Sequence, residues 1–249
     1  MSTGERLKNQ VCVVTGGSRG LGRALCLAFA RQGAKVAFTY RQNAAEAEQT
    51  LAMLHEAGAE ARMFQGSVSD AEHVRTTVKA ILAEWGQIDV LVNNAAVTQV
   101  VPLAMLEEDE WDEVVSTTLK GAYLFSRAVV RGMIRRKRGH ILNIGAFSSE
   151  RIVESPLHFA AAKSGLRGMT EALALEVGRH GILVNLLAPG LLDVGLGQML
   201  LPHRIEEYTE QCALGRVGTA AELAELAIFL VSNENSFMTG AKLVADGGL

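Results

Sequence analysis

The chain has 249 residues, 49% of them hydrophobic and 20% charged, with a net charge of −3. That suits one α/β domain, residues 1–249, with a large core. It predicts neither a nucleic-acid nor a membrane-surface partner, and no apolar run reaches the ~18 residues of a membrane span. The first ten residues, MSTGERLKNQ, lack the apolar stretch of a signal peptide. Cys12, Cys26 and Cys212 are odd in number and sit in apolar contexts, as reduced core thiols of a cytoplasmic protein do. No Cys or His pair has metal-ligand spacing, so no metal is expected.

In chain order, residues 10–15 (QVCVVT) form an apolar run before a glycine cluster, which predicts a buried parallel strand. A helical pattern spans 21–32 and stops at Gly33. A second strand follows at 35–40, a helix from Asn43 to about Ala57, a third strand at 60–68, a helix at 70–85 and a fourth strand at 88–93. Residues 107–138 carry helical periodicity, divided into two helices because one of that length is unusual. Then come a strand at 140–144, a long helix at 156–179 and a strand at 182–188, halted by Pro189-Gly190. Residues 191–212 read as irregular and rich in Met and Leu, before a helix at 219–232 and a short strand at 242–244. Strands alternating with helices predict βαβ units, hence a doubly wound, mostly parallel α/β sheet of Rossmann type.

Two motifs carry chemistry. In Thr15–Gly22 (TGGSRGLG), Gly16, Gly20 and Gly22 lie between a strand and a helix, where backbone N–H groups and the helix dipole hold a pyrophosphate. A tight turn without a ligand is the plainer alternative. Tyr40-Arg41 ends the second strand, where a site selective for NAD places an acid on the ribose 2′-hydroxyl. Arg41 and Arg19 instead suit a 2′-phosphate, which favours NADP(H), although both arginines also fit a solvated surface.

With these motifs, Asn93-Asn94-Ala95, Ala161–Gly165 (AAKSG), Val184-Asn185, Pro189-Gly190, Thr239-Gly240 and Asp246-Gly247-Gly248, the chain resembles the short-chain dehydrogenase/reductase family. It is most similar in pattern to 3-oxoacyl-acyl-carrier-protein reductases. The resemblance covers nearly the whole chain. It implies seven parallel strands, a mobile lid over about 191–212, and a homotetramer or hetero-oligomer built through the helices of 107–138 and 156–179. It implies NADP(H) held by Gly16, Ser18, Arg19, Gly20, Leu21, Gly22, Tyr40, Arg41, Ser67, Val68, Asn94, Ala95, Lys163, Pro189 and Gly190.

The catalytic pattern breaks. Four residues before Lys163 the family keeps a Tyr as acid, and here stands Phe159. The family's Ser after the fifth strand is Ala146, its Asn is Thr118, and the Thr after Pro-Gly is Val194. Ala96 and Ser67 are milder departures at the cofactor. A phenyl ring donates no proton, and each lost donor removes a few kcal/mol of transition-state stabilisation. Three readings follow. The chain is a catalytically silent subunit, paired with an active homologue or with itself, in fatty-acid- or polyketide-type ketoreduction. It is an active ketoreductase whose Ser and Tyr were substituted in this sequence. Or neighbours substitute: Ser148, Ser149, Tyr208 in the lid, or His158, whose side chain on a helix points roughly 100° from that of Phe159.

Three features remain. The run Arg135–Arg138 suits a helix C-terminus first, and an acidic acyl carrier protein approaching the cleft second. His55, His73, His140, His158, His180 and His203 are expected at the surface. Leu191, Leu192, Leu196, Met199, Leu200 and Leu201 either line an acyl tunnel or pack over the cleft.

Overall fold

A computed structural model of the chain describes residues 5–249, without the side chains of Leu196 and Met199. The start of the N-terminal segment and those two lid side chains lie outside the described residues. Seven strands, β1 (Val11–Val14), β2 (Lys35–Tyr40), β3 (Ala61–Gln65), β4 (Val90–Asn93), β5 (Gly139–Ile144), β6 (Ile182–Pro189) and β7 (Lys242–Ala245), form one sheet in the order β3-β2-β1-β4-β5-β6-β7. Every pairing is parallel. The order reverses between β1 and β4, the place where doubly wound sheets open a crevice at the strands' carboxyl ends.

Eight helices connect and cover the strands: α1 (Gly20–Arg31), α2 (Ala44–Glu56), α3 (Ala71–Trp85), α4 (Glu108–Val115), α5 (Gly121–Arg136), α6 (Leu157–Val177), α7 (Pro202–Gln211) and α8 (Ala220–Val231). Local chemistry sets several starts. Asn43 accepts from the N–H of Glu46, Asp70 from that of Glu72, and Thr219 forms a reciprocal capping box with Glu222. Such caps each contribute about 1 kcal/mol. Gly86, left-handed at φ 76°, closes α3.

Burial on both sheet faces explains the uninterrupted apolar strands. One core layer joins Cys12, Val14, Phe29, Phe38 and Ile228 under α1 and α8. The other joins Val13, Leu91, Phe125, Met133 and Val184 under α3, α5 and α6. All three cysteines are buried and unbridged. No helix is long and apolar enough to cross a membrane, and no metal-ligating cluster exists among the described residues.

Three expectations need correction. Residues 107–138 do not form two separate helices: α4 runs into α5 through a π-helical turn, Ser116–Lys120, whose flanking residues keep helical dihedrals. The extra residue of a π turn lets one long helix change its buried face without stopping. The lid is not irregular, since it holds a 3₁₀ segment at Gly195–Met199 and α7, started by Pro202 at its first position. His140 and His158 are buried, not at the surface. Each follows an element boundary in sequence, but the sheet and α6 pack over it.

Candidate functional site

The phosphate loop follows from local geometry. Gly16 and Gly20 adopt φ of +67° and +55°, which only glycine takes without strain. A Cβ on Gly22 would stand 2.0 Å from the Gly16 carbonyl oxygen, so that glycine lets α1 begin against the turn. Thr15 Oγ1 accepts from the backbone N–H groups of Asn94 and Ala95, each at 3.0 Å. The Asn94 side chain donates to the carbonyls of Thr15 (2.9 Å) and Gly16 (3.1 Å). The turn after β4 is thereby clamped to the turn after β1, beside the topological switch. Thr15 belongs with this site although only its glycines were singled out above; its place at the end of β1 was the available signal.

Around this loop, Arg19 precedes α1 and is exposed. Arg41 pairs with Glu113 at 2.5 Å on the surface. Ser67 Oγ bonds Ser69 Oγ at 2.8 Å, and Val68 packs against Gly121. Ser18 turns its carbonyl to Arg23 and Thr50, which leaves the loop's amides unencumbered by it. Gly190 lies against the Tyr208 hydroxyl, and Gly195 of the lid reaches the phosphate loop, 3.3 Å from where a Gly20 Cβ would be.

The structure brings the remaining catalytic positions together at the carboxyl end of β5. Lys163 is buried, and its Nζ donates to the Ile144 carbonyl at 2.6 Å. The Phe159 ring centroid lies 5.6 Å from Nζ. Burial, uncompensated by any acid, pulls the ammonium down to about 7. Ala146 is buried at the start of the β5–α6 loop. Thr118 sits in the π turn with its hydroxyl buried and unpartnered. Val194 is half-buried in extended backbone before the 3₁₀ segment.

Each candidate substitute donor is engaged elsewhere. Ser149 Oγ turns back onto the Ala146 carbonyl at 2.7 Å, and Ser148 accepts from Ser155. The Tyr208 hydroxyl donates to the Asp246 carbonyl at 2.6 Å, while its ring packs edge-on against Phe147. That hydroxyl is raised to about 12 by burial. His158 bonds Gln99 through Nε2 at 3.2 Å, and burial lowers its pKa.

The basic run Arg135–Arg138 lies at the other end of the sheet. It ends α5 just before β5 begins, at the strands' amino ends, and Arg136 spends its guanidinium on the Ile88 carbonyl and Asp89. An approach to the cleft from that side is therefore not what this fold provides. Of the apolar lid residues, Leu191 and Leu192 line a cavity of about 170 Å³ with Ile205 and Val217, whereas Leu201 is exposed.

A family model described as enoyl-(acyl carrier protein) reductase matches residues 16–249. The chain is 39% identical over 243 residues to a 3-oxoacyl-acyl-carrier-protein reductase of Pseudomonas aeruginosa, covering 98% of each chain. The chain belongs to the short-chain dehydrogenase/reductase family. The corresponding reductase of Escherichia coli is 34% identical, over 97% of this chain and 98% of its own. Among solved structures, a short chain dehydrogenase of Burkholderia cenocepacia in complex with NADP superposes with a TM-score of 0.91 at 31% identity, over 98% of this chain and 99% of that one. A putative short-chain alcohol dehydrogenase of Sinorhizobium meliloti gives 0.91 at 33% identity, over 97% and 96%. The fold and the oxidoreductase family are thus those the sequence pattern predicts.

Proposed function

We propose that the chain is an NADP(H)-binding, ketoreductase-like subunit that is catalytically silent, assembled with itself or with an active homologue. The observation that carries this reading is the surroundings of Lys163: a phenyl ring at 5.6 Å and a backbone carbonyl at 2.6 Å, with no hydroxyl. The residues fit the nucleotide. Gly16, Gly20 and Gly22 leave room for a diphosphate to approach the backbone at the α1 N-terminus. Arg19 carries no ion pair among the described residues, and Arg41 needs only to exchange a surface partner to meet a 2′-phosphate. The bound nicotinamide would supply or accept hydride.

The chain's own residues do the rest, and there they fall short. Reduction of a ketone needs a proton at the carbonyl oxygen as the hydride arrives. Phe159 and Ala146 offer none. Lys163, near 7, holds its remaining hydrogens toward Ile144. The neighbouring hydroxyls and the His158 imidazole hold other partners, which supports silence over substitution. Calorimetry with NADPH, then NADPH oxidation with a 3-oxoacyl thioester, tests both halves. Binding without turnover is expected. Turnover at ordinary enzyme rates would refute the silent reading, and absence of NADPH binding would refute the cofactor.

A further inference from the structure

Fourteen large apolar side chains stand exposed among the described residues. Six of them, Val100, Leu103, Met105, Ile152, Leu157 and Leu201, lie on the three segments that leave the carboxyl ends of β4, β5 and β6, which are neighbours in the sheet. Val100, Leu103 and Met105 are each 68% exposed. Two contacts join the segments. The His158–Gln99 bond sets Val100 beside Leu157, and Arg204 of α7 meets Glu154 at 2.5 Å, which draws Leu201 toward Ile152. Isolated surface leucines need no explanation, but a concentration at the mouth of a cleft marks a ligand surface.

The charges on these segments sharpen the ligand. Residues 94–106 contain none. On the β5–α6 loop every charge is already paired. Glu150, its side chain 2% exposed, meets Lys242 at 2.6 Å and Arg167 at 3.7 Å. The Lys242 contact is an ion pair by distance only, without hydrogen-bond direction. Arg151 meets Asp246 at 2.9 Å. In the lid, Asp193 accepts from the Ala220 N–H. The rim offers an anion no free cation, and the exposed arginines of α5 are at the far end of the sheet.

We infer that this rim binds the apolar body of an uncharged, lipophilic carbonyl compound, free in solution and not borne on an acidic carrier. An arm carrying a phosphate on an acidic protein would need cations at the mouth. A neutral chain needs only the apolar area that is present. The inference rests on the proposed function in placing the cofactor cleft beneath the rim, and is independent of whether the site turns over.

Calorimetric titration with 2-decanone and with decanoate, each with and without NADPH, separates the sources of failure. The ketone is expected to bind at least tenfold more tightly than the carboxylate of equal length. The triple variant Val100→Asn, Met105→Gln, Ile152→Asn alters exposed side chains only. It should weaken the ketone at least tenfold and leave NADPH affinity within twofold. Decanoate binding as tightly as 2-decanone, no saturable ketone binding in either condition, or an unchanged ketone affinity in the triple variant overturns the inference. The NADPH titration is read separately, so a failed cofactor reading does not pass for a failed rim.

Discussion

Replacing Lys163 by Met should stabilise the protein, which is unusual for a buried residue with a hydrogen bond. A free lysine ammonium titrates at 10.5, and burial brings Lys163 to about 7. Between those values the unfolded chain holds a proton that the folded chain has lost. Its folded pKa is depressed, so stability rises with pH across the window from 7 to 10.5. At pH 7 the penalty amounts to about 4 kcal/mol. Met fills similar volume without that penalty. It forfeits the 2.6 Å bond to Ile144, a net loss of about 1 kcal/mol. The expected gain is about 3 kcal/mol at pH 7, or roughly 6–12 °C in Tm for a chain of this size. The advantage should shrink by about 1.4 kcal/mol per pH unit toward pH 10. Urea unfolding of both proteins at pH 7, 8.5 and 10 reads this directly. Cys12, Cys26 and Tyr208, whose burial raises their pKa values, titrate in both proteins and cancel in the difference. A Met variant no more stable at pH 7, or a difference that ignores pH, would refute the reasoning.

Restoring both donors, Ala146→Ser with Phe159→Tyr, should bring NADPH oxidation with a 3-oxoacyl thioester up by at least two orders of magnitude, because each donor is worth a few kcal/mol in the transition state; no rise would place the defect in Thr118 or Val194 as well. Gly22→Ala should abolish NADPH binding and lower Tm, since its Cβ meets the Gly16 carbonyl at 2.0 Å, and unchanged calorimetry would show that the loop shifts freely. Burial lowers His140 from 6.5 to about 4. Stability should therefore fall as pH drops through that window, by about 3 kcal/mol at pH 4. His140→Gln should flatten the acid limb of the unfolding curve, and an identical limb in both proteins would count against it. Thr15→Val leaves the Asn94 and Ala95 amides without their acceptor and should cost about 2–3 kcal/mol by urea unfolding, with an unchanged midpoint as the contrary result.

Much of this protein is written locally. Apolar strands of four to eight residues, glycines where φ must be positive, and caps at Asn43, Asp70 and Thr219 act over a few residues, so the parallel α/β order and the phosphate loop can be read from the chain alone. The loss of hydroxyls at Ala146 and Phe159 is equally legible, because absence of a chemical group needs no coordinates. What else could serve in their place was a question of tertiary contact. Tyr208 is held by Asp246 and Phe147, residues 38 and 61 positions away, and His158 by Gln99, 59 positions away. The placement of Arg135–Arg138 opposite the cleft depends on which end of β5 follows α5. The low pKa of Lys163 depends on packing that removes water and supplies no acid. Sequence determined which groups the site possesses; only the fold, by bringing distant residues within bonding distance and excluding solvent, decided which of them are free to act.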